Sequence, residues 1–85
     1  IGEMDEAFKH YKEAIRINPD FGRAHSNIAM LYYGLKRGKE TIHHLARAAE
    51  LFKQTGDEFM KKNALDLIQE CGREFDLTPE DCLTL

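Results

Sequence analysis

The sequence is short of several features, and each shortage excludes a class of protein. Two cysteines, Cys71 and Cys82, are too few for a disulfide framework, and their spacing fits no zinc-binding pattern. Few residues are β-branched, and no stretch sustains the alternation of polar and apolar side chains that a β-strand requires. No apolar run is long enough to span a bilayer. We therefore expect a helical domain in a reducing, cytoplasmic environment, away from membranes.

The charges argue against a general nucleic-acid-binding surface. The formal net charge is −3 and acidic and basic residues are interspersed, whereas a surface that binds phosphates needs a strong basic excess. The 85 residues suffice for one domain with one modest core. Because the chain starts at Ile1 and not at a methionine, we expect it to be a fragment of a longer protein.

Four stretches have apolar residues at steps of three and four, which is the spacing of amphipathic helices. The helices are predicted at about residues 3–18, 20–36, 39–53 and 57–74. Pro19 ends the first one. Asp20 is predicted to cap the second. Its inward stripe is predicted to be Ala24, Ile28, Leu31, Tyr32 and Leu35. At Thr78, a cap residue, a following proline and an acid three positions later predict a short tail helix, about residues 79–83, or a frayed end.

The chain repeats itself at an offset of 34 residues. The matched pairs are Ala7 with Thr41, Tyr11 with Leu45, Ala14 with Ala48, and Ile17 with Leu51. Such an offset between helices of similar length indicates a stacked array of helical hairpins.

At these positions the sequence resembles the tetratricopeptide repeat (TPR) family. The residues that carry the resemblance are Gly2, Ala7, Tyr11, Ala14 and Pro19 in the first unit and Ala24, Ile28, Ala29, Tyr32, Leu45 and Ala48 in the second. The resemblance implies an all-α fold of antiparallel hairpins. Residues 1–19 would be the second helix of one repeat, residues 20–54 a complete repeat, and residues 55–85 a degenerate or capping helix with a tail.

The sequence also departs from the family pattern. His25 stands where tryptophan is common, Thr41 replaces an alanine, Lys53 replaces a proline, and the glycine of the turn within the repeat is displaced to Gly38. An unrelated small helical bundle is the alternative interpretation. In a TPR array the first helix would lack its preceding partner, so we expect the face with Phe8 and Tyr11 to be exposed, and to be covered by further repeats or by a second copy.

No catalytic, cofactor-binding or metal-binding motif is present. Ser26, the single serine, has no base and orienting group around it. Adjacent helical residues point about 100° apart, so His43 and His44 are poorly placed to chelate one ion. One of them is expected to face the edge of the core and the other the solvent. Cys71 lies on an apolar stripe and is expected to be a buried hydrophobic residue.

The remaining candidate site is a groove, because the TPR resemblance implies a concave surface lined by the first helix of each unit. The candidate peptide-binding residues are Arg23, Ser26, Asn27, Met30 and Tyr33 on the second helix and Lys61 on the fourth. Asn27 matches an asparagine that holds the backbone of an extended peptide in many TPR proteins, and a carboxamide offers both a donor and an acceptor. Arg23 and Lys61 loosely resemble the basic clamp with which some TPR domains bind a C-terminal carboxylate.

The resulting hypothesis is a module that binds a peptide or protein partner and has no catalytic activity of its own. Two alternatives remain open. The chain is an oligomerisation or capping segment of a longer repeat protein, or it is an accessory TPR region of an enzyme whose catalytic domain lies elsewhere. Polar side chains on an ordinary exposed helix face would give the same sequence pattern.

Overall fold

The computed structural model describes residues 2–82, and within this range there are four α-helices, no strand and a final 3₁₀ turn. The helices are α1 (Gly2–Ile17), α2 (Gly22–Gly34), α3 (Gly38–Thr55) and α4 (Glu58–Phe75), and the turn, here called the tail turn, is Pro79–Cys82. All four predicted helices are confirmed, with ends within two residues of the predicted ones. The predicted end of the tail helix at residue 83 lies outside the described residues.

The joint between α1 and α2 differs from the prediction. The Asn18 side chain accepts a hydrogen bond from the Asp20 amide at 3.3 Å, which holds Asp20 in the turn before the helix. Phe21 is the N-cap residue, and no side chain caps it. The prediction that Asp20 caps α2 is therefore wrong, and its carboxylate instead lies 3.5 Å from the Arg47 guanidinium.

The turn between α2 and α3 also departs from the expected pattern. Leu35 is the C-cap residue and is 45% exposed, so its predicted place on the inward stripe is wrong. α2 ends at Gly34, and the chain changes direction at Lys36, whose φ is +59°. Gly38 is needed for a different reason. A Cβ atom there would lie 2.7 Å from the Phe75 ring, so only glycine allows α3 and α4 to approach this closely.

Side-chain hydrogen bonds cap the starts of α4 and of the tail turn. The Asp57 carboxylate accepts a hydrogen bond from the Met60 amide at 3.1 Å and caps α4. At the tail turn, the Asp81 carboxylate accepts from the Thr78 amide at 2.8 Å, and the Thr78 hydroxyl accepts from the Asp81 amide at 3.4 Å. This reciprocal pair confirms the predicted capping signature.

The core lies around α3, which packs extensively against both α2 and α4. The buried apolar residues are Ala24, Ile28, Ala29, Ile42, Leu45, Ala48, Ala49, Leu51, Phe52, Ala64 and Cys71. Thr41, which matches Ala7 in the 34-residue repeat, is fully buried, and its hydroxyl is satisfied because it donates to the Arg37 carbonyl at 2.8 Å. Cys71 is buried as predicted, and burial raises the pKa of its thiol.

The 34-residue offset shows how unevenly α1 and α3 are covered. In α3 the matched residues Leu45, Ala48 and Leu51 are all buried. No residue of α1 is buried, and Ile17, the partner of Leu51, is 69% exposed. Phe8 is less exposed than predicted, because its ring packs edge-on against Tyr32 of α2 at 5.1 Å. Thus α1 is in contact with α2 on one side, while α3 is covered by two helices.

Candidate peptide-binding groove

A depression of about 240 Å³ lies between α2 and α4. Leu45 of α3 and Ala64 of α4, both buried, contribute to its lining. The other lining residues are Ser26, Asn27, Met30, Met60, Asn63 and Leu67. No charged side chain lines this depression, so it suits an uncharged apolar group, since burying an unpaired charge there would be costly.

A second depression, of about 300 Å³, is lined by Arg23, Ser26, Asn27 and Met60. Three of these residues, Ser26, Asn27 and Met60, also line the first depression, so the two are adjacent. We call them together the α2–α4 groove. Asn27 is exposed, and its side chain makes no hydrogen bond to any residue in the range 2–82, so both groups of its carboxamide are available to a ligand.

Arg23 supplies the charge at one end of the groove. It is exposed and forms no ion pair within the described part of the chain. A third depression, which Arg23 also lines, includes Asp20 and Asp57. A guanidinium without a fixed partner can bind a carboxylate in a bidentate manner.

Tyr33 lies on the same helix but has partners of its own. Its hydroxyl donates to a Glu74 carboxylate oxygen at 2.8 Å, and its ring meets Phe75 edge-on at 6.0 Å. The hydrogen bond to Glu74 raises the pKa of Tyr33. Tyr33 lines neither depression of the groove, and its contacts join α2 to the end of α4.

Lys61 is placed differently from the other candidates. Its ammonium lies 2.8 Å from the Glu58 carboxylate, and it lines neither depression. The α4 residues that line the groove are Met60, Asn63, Ala64 and Leu67, and none of them was among the groove residues predicted from the sequence. The pattern held a signal for them, because Met60, Asn63 and Leu67 follow the three-and-four spacing of one helix face.

Among the described residues, Ser26 has no partner that could act as a catalytic base. Both ring nitrogens of the neighbouring His25 are engaged, one with the Pro19 carbonyl at 3.1 Å and one with His44 at 3.2 Å. His25 therefore has no free nitrogen to act as a base toward the Ser26 hydroxyl. Within residues 2–82 no cluster of three histidine, cysteine or acidic side chains is arranged to hold a metal ion. None of the described helices is both long and apolar enough to cross a membrane.

The comparisons with known proteins bear on the helix that carries most of the groove. Residues 1–36 match the family model of the TPR repeat. The matched segment includes α1, the joint at Pro19 and all of α2, and the four-helix architecture agrees with a helical-repeat fold. TPR repeats generally mediate protein–protein interactions. The comparisons with curated proteins and with solved structures gave no significant match.

Proposed function

We propose that this chain binds an extended peptide segment of a partner protein in the α2–α4 groove and catalyses no reaction itself. The observation that carries the proposal is the position of Asn27. Its unpaired carboxamide stands where an apolar depression and the Arg23 end of the groove meet. A peptide backbone passing over Asn27 would find a donor and an acceptor there, while one of its side chains enters the apolar depression.

Within this proposal the candidate residues have distinct roles. Asn27 and Ser26 contact the peptide backbone, Met30 contacts its apolar side chain, and Arg23 contacts an acidic or C-terminal carboxylate. Tyr33 and Lys61 act at the margin, since each already has an acidic partner. The unit boundaries at residues 19 and 54, the absence of intrinsic catalysis and a cytoplasmic location remain parts of the proposal. A free buried thiol at Cys71 is compatible with a reducing compartment.

Binding can be tested with peptides selected from a random display library and then titrated by calorimetry. Asn27→Ala is expected to weaken the selected peptides about tenfold, because backbone groups that lose their partner remain unsatisfied in the complex. Gln54→Ala, a matched amide substitution on an exposed part of α3, should leave affinity unchanged. Equal losses in the two variants, or no selected peptide at all, would contradict the proposal.

A second function is favoured by the incomplete cover of α1. We propose that a second copy of the chain packs on the side of α1 that includes Tyr11 and Ile17, as in an oligomerisation or capping segment. The support is the repeat register, since the equivalent residues Leu45 and Leu51 are buried in α3. Phe8 takes a smaller part than the sequence suggested, because its ring faces α2.

A further inference from the structure

Two of the histidines that stand out in the sequence meet in the fold. His25, at the position where the family often has tryptophan, is buried in α2, and its Nδ1 atom lies 3.2 Å from Nδ1 of His44 in α3. The other nitrogen of His25, Nε2, lies 3.1 Å from the carbonyl oxygen of Pro19. The pair therefore connects three segments, namely α3, α2 and the joint that leads back to α1.

The partners determine where the hydrogens lie. A carbonyl oxygen only accepts, so His25 carries its hydrogen on Nε2 and donates it to Pro19. In a neutral ring the other nitrogen is then an acceptor, so Nδ1 of His25 accepts a hydrogen from Nδ1 of His44. The two hydrogen bonds run in one direction, from His44 to His25 to Pro19, and both rings are neutral.

An aromatic stack surrounds the pair. Tyr32 stacks on His44 at 5.5 Å with the ring planes 12° apart, and Phe8 of α1 packs edge-on against Tyr32. Of the two adjacent histidines, His44 is half-buried and His43 is exposed, which confirms the predicted division between them. Burial lowers the pKa of His25 and lowers that of His44 to about 4.

The charged and titratable groups that act on the pair come from α3 and from the joint. In α3, Arg47 and His43 oppose protonation of His25, and Glu40 favours protonation of His44. Asp20 in the joint favours protonation of His25, but it lies 3.5 Å from Arg47, so these two opposite charges largely offset each other. From α1, the Lys12 ammonium lies over the Phe8 ring at 5.8 Å.

We propose that the His25–His44 pair is a proton-operated latch, which holds the Pro19 joint against α2 and α3 when both rings are neutral and releases it when both are protonated. One added proton can be accepted on Nε2 of His44 with both hydrogen bonds intact. A second proton must go to Nδ1 of His25, where its N–H would face the N–H of His44. Two donors 3.2 Å apart repel, and two like charges share a largely apolar site.

The sign of the pH dependence follows from the depressed pKa values. In the closed form the histidine pair holds the joint, and in the open form the joint is released and the histidines have the ordinary pKa of about 6.5. Because the closed form binds protons less readily than the open form, lowering the pH favours the open form. The closed latch keeps its full stability above pH 6.5 and loses it progressively as the pH falls toward 4. α1 is the element released, since it directly precedes the joint in the chain and none of its residues is buried.

The latch can be tested by NMR on the unmodified protein. At pH 7 the ring nitrogens should show a hydrogen on Nε2 of His25 and on Nδ1 of His44. The pKa of His44 should be about 4, and that of His25 should lie below its ordinary value. Amide hydrogen exchange, corrected for its intrinsic pH dependence, should show opening of α1 increasing on the order of tenfold between pH 7 and pH 5, with little change in α4. Titration of both rings near 6.5, or equal protection of α1 at both pH values, would overturn the proposal.

Variants give an independent test. In the double variant His25→Gln, His44→Asn, the amide nitrogens can stand in for Nε2 of His25 and for Nδ1 of His44, but neither side chain titrates. Opening of α1 in this variant should no longer depend on pH between 7 and 5. His43→Gln removes the exposed neighbour and should keep the full pH response. A response that persists in the double variant, or that disappears in His43→Gln, would show that other groups control the joint.

Discussion

Lys36 has the left-handed conformation in the turn between α2 and α3, where the sequence pattern pointed to Gly38. Its φ of +59° lies in the left-handed region, which costs a residue with a side chain about 1–2 kcal/mol relative to the right-handed form. The nearby Gly38 does not relieve this cost, because it is held in α3 against the Phe75 ring. The turn therefore has a strained residue beside a glycine that serves helix packing.

Lys36→Gly should accordingly stabilise the protein by about 0.5–1 kcal/mol, since glycine accepts a positive φ but loses more entropy on folding. The free energy of unfolding can be measured by urea denaturation. Lys62→Gly is the matched control, because the same change in the exposed middle of α4 should destabilise by about 1 kcal/mol. Equal destabilisation of both variants would contradict the left-handed conformation of Lys36.

Other single residues show what the sequence left undetermined. Asn27 and Met30 were predicted to line a groove, and both line the α2–α4 groove. Their role in binding remains a prediction. Lys61 was predicted to project into the groove, but the rotation of α4 about its axis depends on packing against α3, and that rotation brings Met60 and Asn63 there instead. The contact of His25 with His44 joins residues 19 positions apart and leaves no trace in local periodicity.

At the scale of elements, the helices were predictable because apolar spacing and breaker residues act locally. Their ends were less so, since several residues compete to cap a helix. Asp57 caps α4 through the Met60 amide, whereas Asp20, the predicted cap of α2, is held in the turn by Asn18. Only the three-dimensional arrangement distinguishes the two aspartates.

This difference predicts unequal costs for the same substitution. Asp57→Ala should lower the free energy of unfolding by about 0.5–2 kcal/mol, because it removes the cap of α4. Asp20→Ala should cost only about 0–1 kcal/mol, since it removes an exposed ion pair with Arg47. Thermal or urea unfolding of the two variants measures both values, and a larger loss for Asp20→Ala would contradict the assignment of the caps.

For the whole molecule, the 34-residue repeat explains both the groove and the incomplete cover of α1. Self-association through α1 should appear in sedimentation velocity as an average mass that rises with concentration. Ile17→Glu should reduce it, because Ile17 is 69% exposed and contributes little to the fold of the single chain. Gln54→Glu adds the same charge on α3 and should have no effect. A mass of one chain at every concentration would rule out the second copy.

The central claim is that partners bind in the α2–α4 groove, and NMR titration with a library-selected peptide tests it most directly. The account predicts that the largest changes in chemical shift fall on the side-chain amides of Asn27 and Asn63 and the methyl groups of Met30 and Met60, with little change in α1. Changes concentrated on the Tyr11 and Ile17 side of α1, with the groove residues unaffected, would contradict it.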